Sequence, residues 1–146
     1  MITVKFKKLN FAAIRPTKRD CDAGYDIYGI PSVSEETLGF YSFQPGEVVM
    51  IPTGIATAIP EGYVAIVKER GSTGSKGLAV RCGVIDSGYR GEWFIAIQNT
   101  TEKSINYPVE KAIAQVVFVK AETVCFEDDE LDESERGDGK LGSSGK

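Results

Sequence analysis

Short runs of β-branched residues, repeatedly interrupted by proline and glycine, constrain the fold of this chain more than any other feature. Residues 48–51, 54–59 and 63–67 are rich in valine and isoleucine, and proline or glycine separates each run from the next. Residues 2–7 and 93–99 alternate apolar and polar side chains with a period of two, which is typical of strands with one buried face. Many short strands at regular spacing predict an all-β fold, arranged as a sandwich, jelly roll or barrel.

Helix signals are weak along the whole chain. No window sustains an amphipathic helix, and at most one helical turn is expected near residues 72–76. Residues 113–119 read as a further strand, after which the apolar pattern stops. We therefore expect one compact β-domain over residues 1–126, followed by an acidic tether and mobile C-terminal arm over residues 127–146.

Composition excludes several classes of chemistry. The chain contains no histidine, which removes Ser–His and Cys–His catalysis and every histidine-ligated metal site. A general base must then be a carboxylate or a less common group, and any cation must be held by oxygen, which suits magnesium. The three cysteines lie far apart without a C-x-x-C pair, which favours free thiols in a reducing compartment over a zinc site.

The charge of the chain is unevenly distributed. Residues 127–146 carry eight acidic and three basic residues, so the other 126 residues have a net charge of +1. Such a body lacks the basic stripe of a duplex nucleic-acid binder, but it can accept a small polyanion where its basic groups converge. No stretch reaches the apolar length of a membrane span and the N-terminus lacks a signal-peptide pattern, so we expect a soluble cytoplasmic protein.

The last eleven residues, 136–146, combine glycines and serines with Arg136. Such a segment buries too little apolar surface to hold one conformation, but its guanidinium, hydroxyl and backbone N–H groups are typical phosphate ligands. The composition predicts an arm that orders over an anionic ligand, and a solvated tail is the alternative.

Two internal segments carry groups suited to oxyanions and water. Residues 70–77 place Arg70 and several hydroxyls among glycines that let the backbone approach an oxyanion, although the spacing is not that of a P-loop. Residues 83–93 deliver Asp86 to the start of a tight hairpin, where a strand-end carboxylate can orient and deprotonate a water. Tyr89, at the tip, can lie flat under a sugar or base. The alternatives are a flexible surface loop and a hairpin with a polar cap.

Two shorter segments add polar groups among apolar ones. Residues 22–28 set two carboxylates beside a glycine, which suits a strand entry near a cation or a hydroxyl, with an ordinary polar turn as the alternative. Gln115 interrupts an apolar strand, and its amide must be paired because an unpaired buried amide is costly.

Taken in order, five segments of this chain resemble the five motifs of the trimeric dUTPases. They are AGYD (23–26), R-x-S…KG (70–77), GVID-x-x-Y-x-G (83–91), IAQ (113–115) and RG…GSSG (136–145). The resemblance implies a β-barrel-like jelly-roll homotrimer that acts as a dUTP diphosphatase, hydrolysing dUTP to dUMP and pyrophosphate with Mg²⁺. Each of three sites is expected between subunits, with the C-terminal arm closing over the nucleotide. No duplex nucleic acid or membrane is implied as a partner.

The resemblance also implies roles for individual residues. Asp86 is expected to orient the water that attacks the α-phosphorus, and Tyr89 to pack on the deoxyribose and exclude a 2′-hydroxyl. Backbone groups of the hairpin are expected to pair with uracil, at Gly83, Val84 and Ile85. Phosphate oxygens are expected to be held by Arg70, Gly71, Ser72 and Gln115. The residues expected to close over the nucleotide from the arm are Arg136, Leu141, Gly142, Ser143 and Ser144. Asp26 is expected to contact the waters of the metal ion.

Three departures from the family pattern keep alternatives open. Gly71 stands where a serine is usual, Ala112 where an arginine is usual, and Leu141 where a phenylalanine stacks over uracil. One alternative is a catalytically weakened, dUTPase-like module whose interactions are gated by nucleotide. The less favoured one is a dCTP deaminase-like enzyme, which needs a glutamate base, whereas only Glu92 adjoins the hairpin.

Overall fold

The computed structural model describes residues 1–138, which form an antiparallel β-structure with two short helices. The predicted arm residues Leu141, Gly142, Ser143 and Ser144 lie outside the described residues. In chain order the elements are β1 (Lys5–Lys8), β2 (Tyr25–Ile27), α1 (Val33–Leu38), β3 (Phe40–Phe43), β4 (Val48–Pro52), β5 (Ile55–Ala58), β6 (Tyr63–Lys68), α2 (Gly71–Gly74), β7 (Leu78–Arg81), β8 (Val84–Ile85), β9 (Phe94–Asn99), β10 (Ile105–Pro108) and β11 (Ala114–Lys120).

The strands follow the alternation seen in the sequence, which confirms the all-β prediction. In β9, Ile95 and Ile97 are buried, whereas Phe94 is exposed. Successive side chains of a strand point to opposite faces, which explains this difference. At the N-terminus, β1 begins at Lys5, three residues later than the alternation predicts.

Within residues 1–138, the strands pair in four small sheets around one apolar core. The sheet orders are β2-β11-β6-β8, β4-β9-β7, β1-β5 and β10-β3, and every pair is antiparallel. The largest fully buried side chains of the core are Trp93, Tyr41, Tyr107, Phe43, Ile27, Ile51, Ile55, Leu78, Ile95, Ile97, Ile113 and Val116.

The register of the four-stranded sheet positions the polar residues predicted from the sequence. In β11, Gln115 opposes Asp26 of β2 on one side and Lys68 of β6 on the other. Directly opposed residues project from the same face of a sheet, so these three side chains form one row. On the far side of β6, Ile66 opposes Val84 of β8, which is the edge strand of this sheet. The row therefore lies on the face of the sheet that also carries Val84.

Helix α1 was not expected from the sequence, because its residues show no buried face. None of its side chains is buried, so it lacks the amphipathic signal that identifies most helices. Its ends stabilise it instead: Ser32 and Glu35 form a capping box, and Gly39 ends the helix at a φ of 79°. The S-x-x-E spacing followed by glycine was the available signal. The single turn expected near 72–76 is confirmed as α2, Gly71–Gly74.

Packing against the core ends with β11. Phe118 is the last partly buried residue, the backbone N–H of Ala121 donates to the carbonyl of Gly62 at 2.8 Å, and every described residue from 119 onward is exposed. Phe126 is 95% exposed, so it contributes no core packing, and the domain boundary at 126 stays a prediction. Within residues 1–138, neither helix is long and apolar enough to cross a bilayer.

Candidate active site

A broad hollow of about 970 Å³ brings together residues from three of the predicted motifs. It lies over the row of side chains on the β2-β11-β6 face and is bordered by the start of α2. The predicted residues that line it are Asp26, Arg70, Gly71, Ser72 and Gln115.

Asp26 and Arg70 form a bidentate ion pair within this hollow. Arg70 Nε donates to Asp26 Oδ1 at 2.6 Å and Arg70 Nη2 donates to Asp26 Oδ2 at 3.0 Å. The two side chains are only 28% and 31% exposed, so water competes weakly for these bonds. Burial alone lowers the pKa of Arg70, but the hydrogen bonds and charge of Asp26 outweigh it, and the pKa of Arg70 lies above its ordinary value.

The other terminal nitrogen of Arg70 is also engaged. Arg70 Nη1 donates to Ser72 Oγ at 3.1 Å and to the backbone carbonyl of Ala112 at 3.3 Å. That carbonyl also accepts from the buried Tyr107 hydroxyl at 3.0 Å. Four of the five N–H groups of the guanidinium therefore have partners in the folded chain.

The backbone of Arg70 is fixed by the fully buried Thr73. The N–H of Arg70 donates to Thr73 Oγ1 at 2.9 Å, and this hydroxyl donates to the Arg70 carbonyl at 3.1 Å. Next to it, Gly71 is exposed with open space on its Cα, so a ligand can approach the backbone here.

Gln115 has the hydrogen-bond partner that its position in an apolar strand requires. Gln115 Nε2 donates to the backbone carbonyl of Glu69 at 2.8 Å. Its amide oxygen packs against Gly24, where an added Cβ would lie only 2.5 Å from it. Gly24 is therefore the residue that lets the amide sit at this end of the hollow.

The hollow also contains basic residues that the sequence reasoning missed. Lys18, Arg19 and Lys68 line it together with Arg70. Arg19 is paired with Asp22 at 2.9 Å. The available signal was the KRDCD run directly before the AGYD segment, together with the strand register that brings Lys68 beside Gln115.

A second, smaller pocket of about 210 Å³ lies at the hairpin that follows β8. Asp86 is exposed at the end of this edge strand, and its carbonyl accepts from the N–H of Tyr89 at 3.1 Å, which closes the turn. Across residues 1–138, no hydrogen-bond donor or cation contacts the Asp86 carboxylate. This carboxylate is therefore available to a water or a ligand. The residues lining the pocket are Cys82, Val84, Ile85, Asp86, Tyr89, Trp93 and Phe94.

Tyr89 lies across the hairpin and is held at its hydroxyl. The hydroxyl donates to the carbonyl of Glu92 at 2.9 Å, and the ring covers Gly91 so closely that an added Cβ would lie 2.6 Å from Cζ. The ring remains 44% exposed, so one surface of it can contact a ligand. Gly91 is thus required for this placement of Tyr89.

The backbone of residues 83–85 forms the free edge of the four-stranded sheet. Ile85 points into the core, whereas Val84 is 64% exposed. The carbonyl of Gly83 accepts from the N–H of Val67 at 2.7 Å, and a Cβ on Gly83 would collide with the Val67 carbonyl. An edge strand leaves one row of backbone N–H and carbonyl groups unpaired, and such groups can read the edge of a base.

The predicted site residues are therefore divided between two surfaces of the single chain. No described residue lines both the hollow and the hairpin pocket. Arg136, the one predicted arm residue within the described part of the chain, is exposed and lines neither surface.

Comparison with known proteins gives consistent matches. The family model for dUTPase matches residues 10–145. A deoxyuridine 5′-triphosphate nucleotidohydrolase of Nautilia profundicola is 36% identical over 150 residues, covering 98% of this chain and 99% of its own. A protein of the same name from Streptomyces avermitilis is 37% identical over 134 residues, covering 85% of this chain and 69% of its own.

Solved structures also match over most of the chain. The Staphylococcus bacteriophage 80alpha dUTPase with dUPNHPP has a TM-score of 0.84 at 30% identity, covering 99% of each chain. A mutant dUTPase from phage phi11 of S. aureus, described as coordinating a structural Mg(II) ion, has a TM-score of 0.75 at 26% identity, covering 91% of this chain and 100% of that one.

Proposed function

Because this chain belongs to the dUTPase family, we propose that it hydrolyses dUTP to dUMP and pyrophosphate, with Asp86 orienting the attacking water. This is the dUTP diphosphatase reaction, which removes dUTP from the nucleotide pool and supplies dUMP. The fold class expected from the resemblance, the jelly-roll dUTPase fold, is that of the matching phage structures.

The observation that carries the mechanism is the exposed carboxylate of Asp86 at the end of β8, which no donor or cation of residues 1–138 contacts. A carboxylate without a protein partner can accept the proton of a water and aim its oxygen at the α-phosphorus. The new bond joins the water oxygen to this phosphorus, the bond from the phosphorus to the α,β-bridging oxygen breaks, and pyrophosphate leaves. The proton of the water passes to Asp86.

Base and sugar recognition follow from the hairpin. The free backbone edge at Gly83, Val84 and Ile85 supplies the donors and acceptors that pair with uracil, and a narrow backbone slot rejects a 5-methyl group by steric exclusion. The exposed surface of Tyr89 packs on the deoxyribose and leaves no room for a 2′-hydroxyl.

Phosphate binding falls to the hollow. Arg70, Ser72 and Gln115 line it together, and the open backbone at Gly71 lets a phosphate approach closely. Their donors and the surrounding positive charge offset about four negative charges on the triphosphate. The arm residues then close over the β- and γ-phosphates and the base, through Arg136, Leu141, Gly142, Ser143 and Ser144.

Mg²⁺ fits this site as an ion that arrives with the nucleotide. Residues 1–138 contain no group of three or more acidic or cysteine side chains able to hold a metal by themselves. Mg²⁺ bound to substrate phosphates keeps several waters and needs only one or two carboxylates, and Asp26 is the carboxylate of the hollow that would face those waters. When bound, the ion neutralises phosphate charge.

A homotrimer with shared sites explains why one chain divides the predicted residues between two surfaces. If the hollow of one subunit meets the hairpin pocket of another, the phosphate ligands and Asp86 surround one nucleotide. Light scattering on the purified protein should give three times the chain mass of 15.8 kDa. A strictly monomeric active enzyme would contradict the shared site.

The three free, exposed cysteines support a reducing, cytoplasmic location.

The activity is tested by pyrophosphate release from dUTP, with dCTP, dTTP and UTP as controls. Release from dUTP well above that from the other three is the expected result. Ammonia release from dCTP would instead indicate a deaminase. Tight dUTP binding without turnover would indicate a nucleotide-gated interaction module.

A further inference from the structure

We propose that Asp26 is a positioning residue for the substrate, and that it acts through Arg70 even when Mg²⁺ is saturating. The inference rests on the proposed function, because it concerns how the same hollow holds the phosphates of the nucleotide. Its basis is the ion pair that joins these two residues across 44 positions of the sequence.

The ion pair fixes the plane of the Arg70 guanidinium as well as its position. Both carboxylate oxygens of Asp26 accept from Arg70, at 2.6 and 3.0 Å, in the two-pronged arrangement that sets orientation most strictly. Asp26 is itself held by β2, whose residues pair with β11. The carboxylate therefore transmits the geometry of the sheet to the guanidinium.

The fixed guanidinium in turn orients the hydroxyl of Ser72. With Nε and Nη2 on Asp26, Nη1 reaches Ser72 Oγ at 3.1 Å and the Ala112 carbonyl at 3.3 Å. Because Ser72 Oγ accepts from a cation, its own proton is free to donate outward, and that donation is strengthened by the charged neighbour. Arg70 then offers a phosphate its positive charge, while Ser72 offers an O–H.

Three roles of Asp26 predict three different effects when its charge is removed. If Asp26 acts only as a charge, its loss removes a repulsion and tightens binding of the anionic substrate. If Asp26 acts on metal-bound waters, its loss weakens binding at limiting Mg²⁺ and excess Mg²⁺ restores it. If Asp26 positions Arg70, its loss weakens binding at saturating Mg²⁺ as well.

The test is Asp26→Asn, which keeps the shape of the side chain and removes its charge. At saturating Mg²⁺, we expect the KM for dUTP to rise by about tenfold and kcat to change by less than about threefold. The reason is that the variant loses a charged hydrogen bond that supports binding equally in the ground state and the transition state. Calorimetric affinity for α,β-imido-dUTP should fall by the same factor. In the nucleotide-free protein, the ¹⁵N-detected Nε–H signal of Arg70 should shift or broaden, while the rest of the spectrum reports an intact fold.

Two further variants test whether the effect of Asp26 on binding depends on Arg70. With Arg70→Ala already present, Asp26→Asn should weaken imido-dUTP binding by little more, because its effect passes through the missing guanidinium. The matched control is Asp20→Asn, which removes one negative charge from an exposed residue next to Arg19 whose side chain does not line the hollow. This control should not raise KM.

Any of four results would overturn the proposal. They are a fall in KM for Asp26→Asn, recovery of its KM with excess Mg²⁺, full additivity with Arg70→Ala, and an unchanged Arg70 Nε–H signal. A wild-type protein that neither binds nor hydrolyses dUTP contradicts the proposed function instead. The Nε–H signal needs no nucleotide, so in that case it still decides whether Asp26 holds Arg70.

Discussion

The hollow and the hairpin pocket differ in how far the folded chain satisfies their charged groups. In the hollow, each guanidinium is held by a carboxylate, Arg70 by Asp26 and Arg19 by Asp22. At the hairpin, the carboxylate of Asp86 has no donor or cation among residues 1–138. One surface is already organised by its own ion pairs, whereas the other presents a single unpaired group.

This difference matches the two tasks that a phosphate-cleaving site must perform. Binding a polyanion benefits from donors that are fixed before the ligand arrives, because no reorganisation is then required during the reaction. A base that activates water must keep its lone pairs available, because a carboxylate already bound to a guanidinium is a weaker proton acceptor. The hollow is therefore suited to binding and the hairpin to chemistry.

The largest expected effect belongs to the unpaired carboxylate. Asp86→Asn should lower kcat by about 10²- to 10⁴-fold, the usual contribution of a general base. Affinity for α,β-imido-dUTP should stay nearly unchanged, because the amide keeps the size of the carboxylate. Single-turnover kinetics and calorimetry measure the two quantities, and turnover within twofold of wild type would remove Asp86 from the mechanism.

Gly91→Ala should act on the hairpin without removing any functional group. The new Cβ would displace the Tyr89 ring from its contact with the Glu92 carbonyl, and this ring can move because it is partly exposed. We expect the preference for dUTP over UTP to fall by about tenfold, which is the order of effect of a methylene-sized misfit. The ratio of kcat/KM values measures it.

Its control is Gly88→Ala in the same turn, where an added Cβ meets open space. That variant should keep the preference for dUTP. Equal losses in the two variants would mean that general flexibility of the hairpin, rather than the position of Tyr89, sets the selectivity.

Gly24→Ala is the corresponding change in the hollow. The new Cβ would push the Gln115 amide away from its bond to the Glu69 carbonyl. Loss of one hydrogen bond contributes about 1 kcal/mol, so we expect KM for dUTP to rise by about fivefold with kcat nearly constant. Steady-state kinetics at saturating Mg²⁺ test this, and a change in kcat alone would contradict a binding role for Gln115.

The smallest effect is expected at Glu69, whose carboxylate accepts from the N–H of Val80 at 2.8 Å and pairs with Lys68 at 3.2 Å. Burial alone raises its pKa, but backbone N–H donors and Lys68 outweigh burial, and the pKa of Glu69 lies below its ordinary value. A group with a lowered folded pKa stabilises the protein above its unfolded pKa and loses that contribution as pH falls.

Glu69→Gln should accordingly lower the free energy of unfolding by about 1 kcal/mol or less at neutral pH, because Lys68 is mostly exposed. The two proteins should become equally stable as the pH falls through the folded pKa of Glu69. Urea titrations across the acid range measure this, and a gap that widens with acid would show that the sign is wrong.

The hairpin could be predicted from the sequence and the hollow only in part. Asp86, Tyr89 and Gly91 lie within six positions, so local strand and turn signals suffice to place them together. The hollow joins Asp26 of β2 to Arg70, which follows β6, and this ion pair depends on the register of β2, β11 and β6. Helix α1 was not predicted, because its capped ends stabilise it and it has no buried face to give an amphipathic pattern.

By itself, the sequence determined the all-β class and the order of the motifs, because strand periodicity, turns and motif spacing are local properties of the chain. The tertiary structure alone decided that Asp26 engages Arg70, that Lys68 joins the same row, and that no donor or cation of residues 1–138 contacts the Asp86 carboxylate. Charge pairing depends on distances of a few ångströms between residues far apart in sequence, and only the packing of the strands sets those distances.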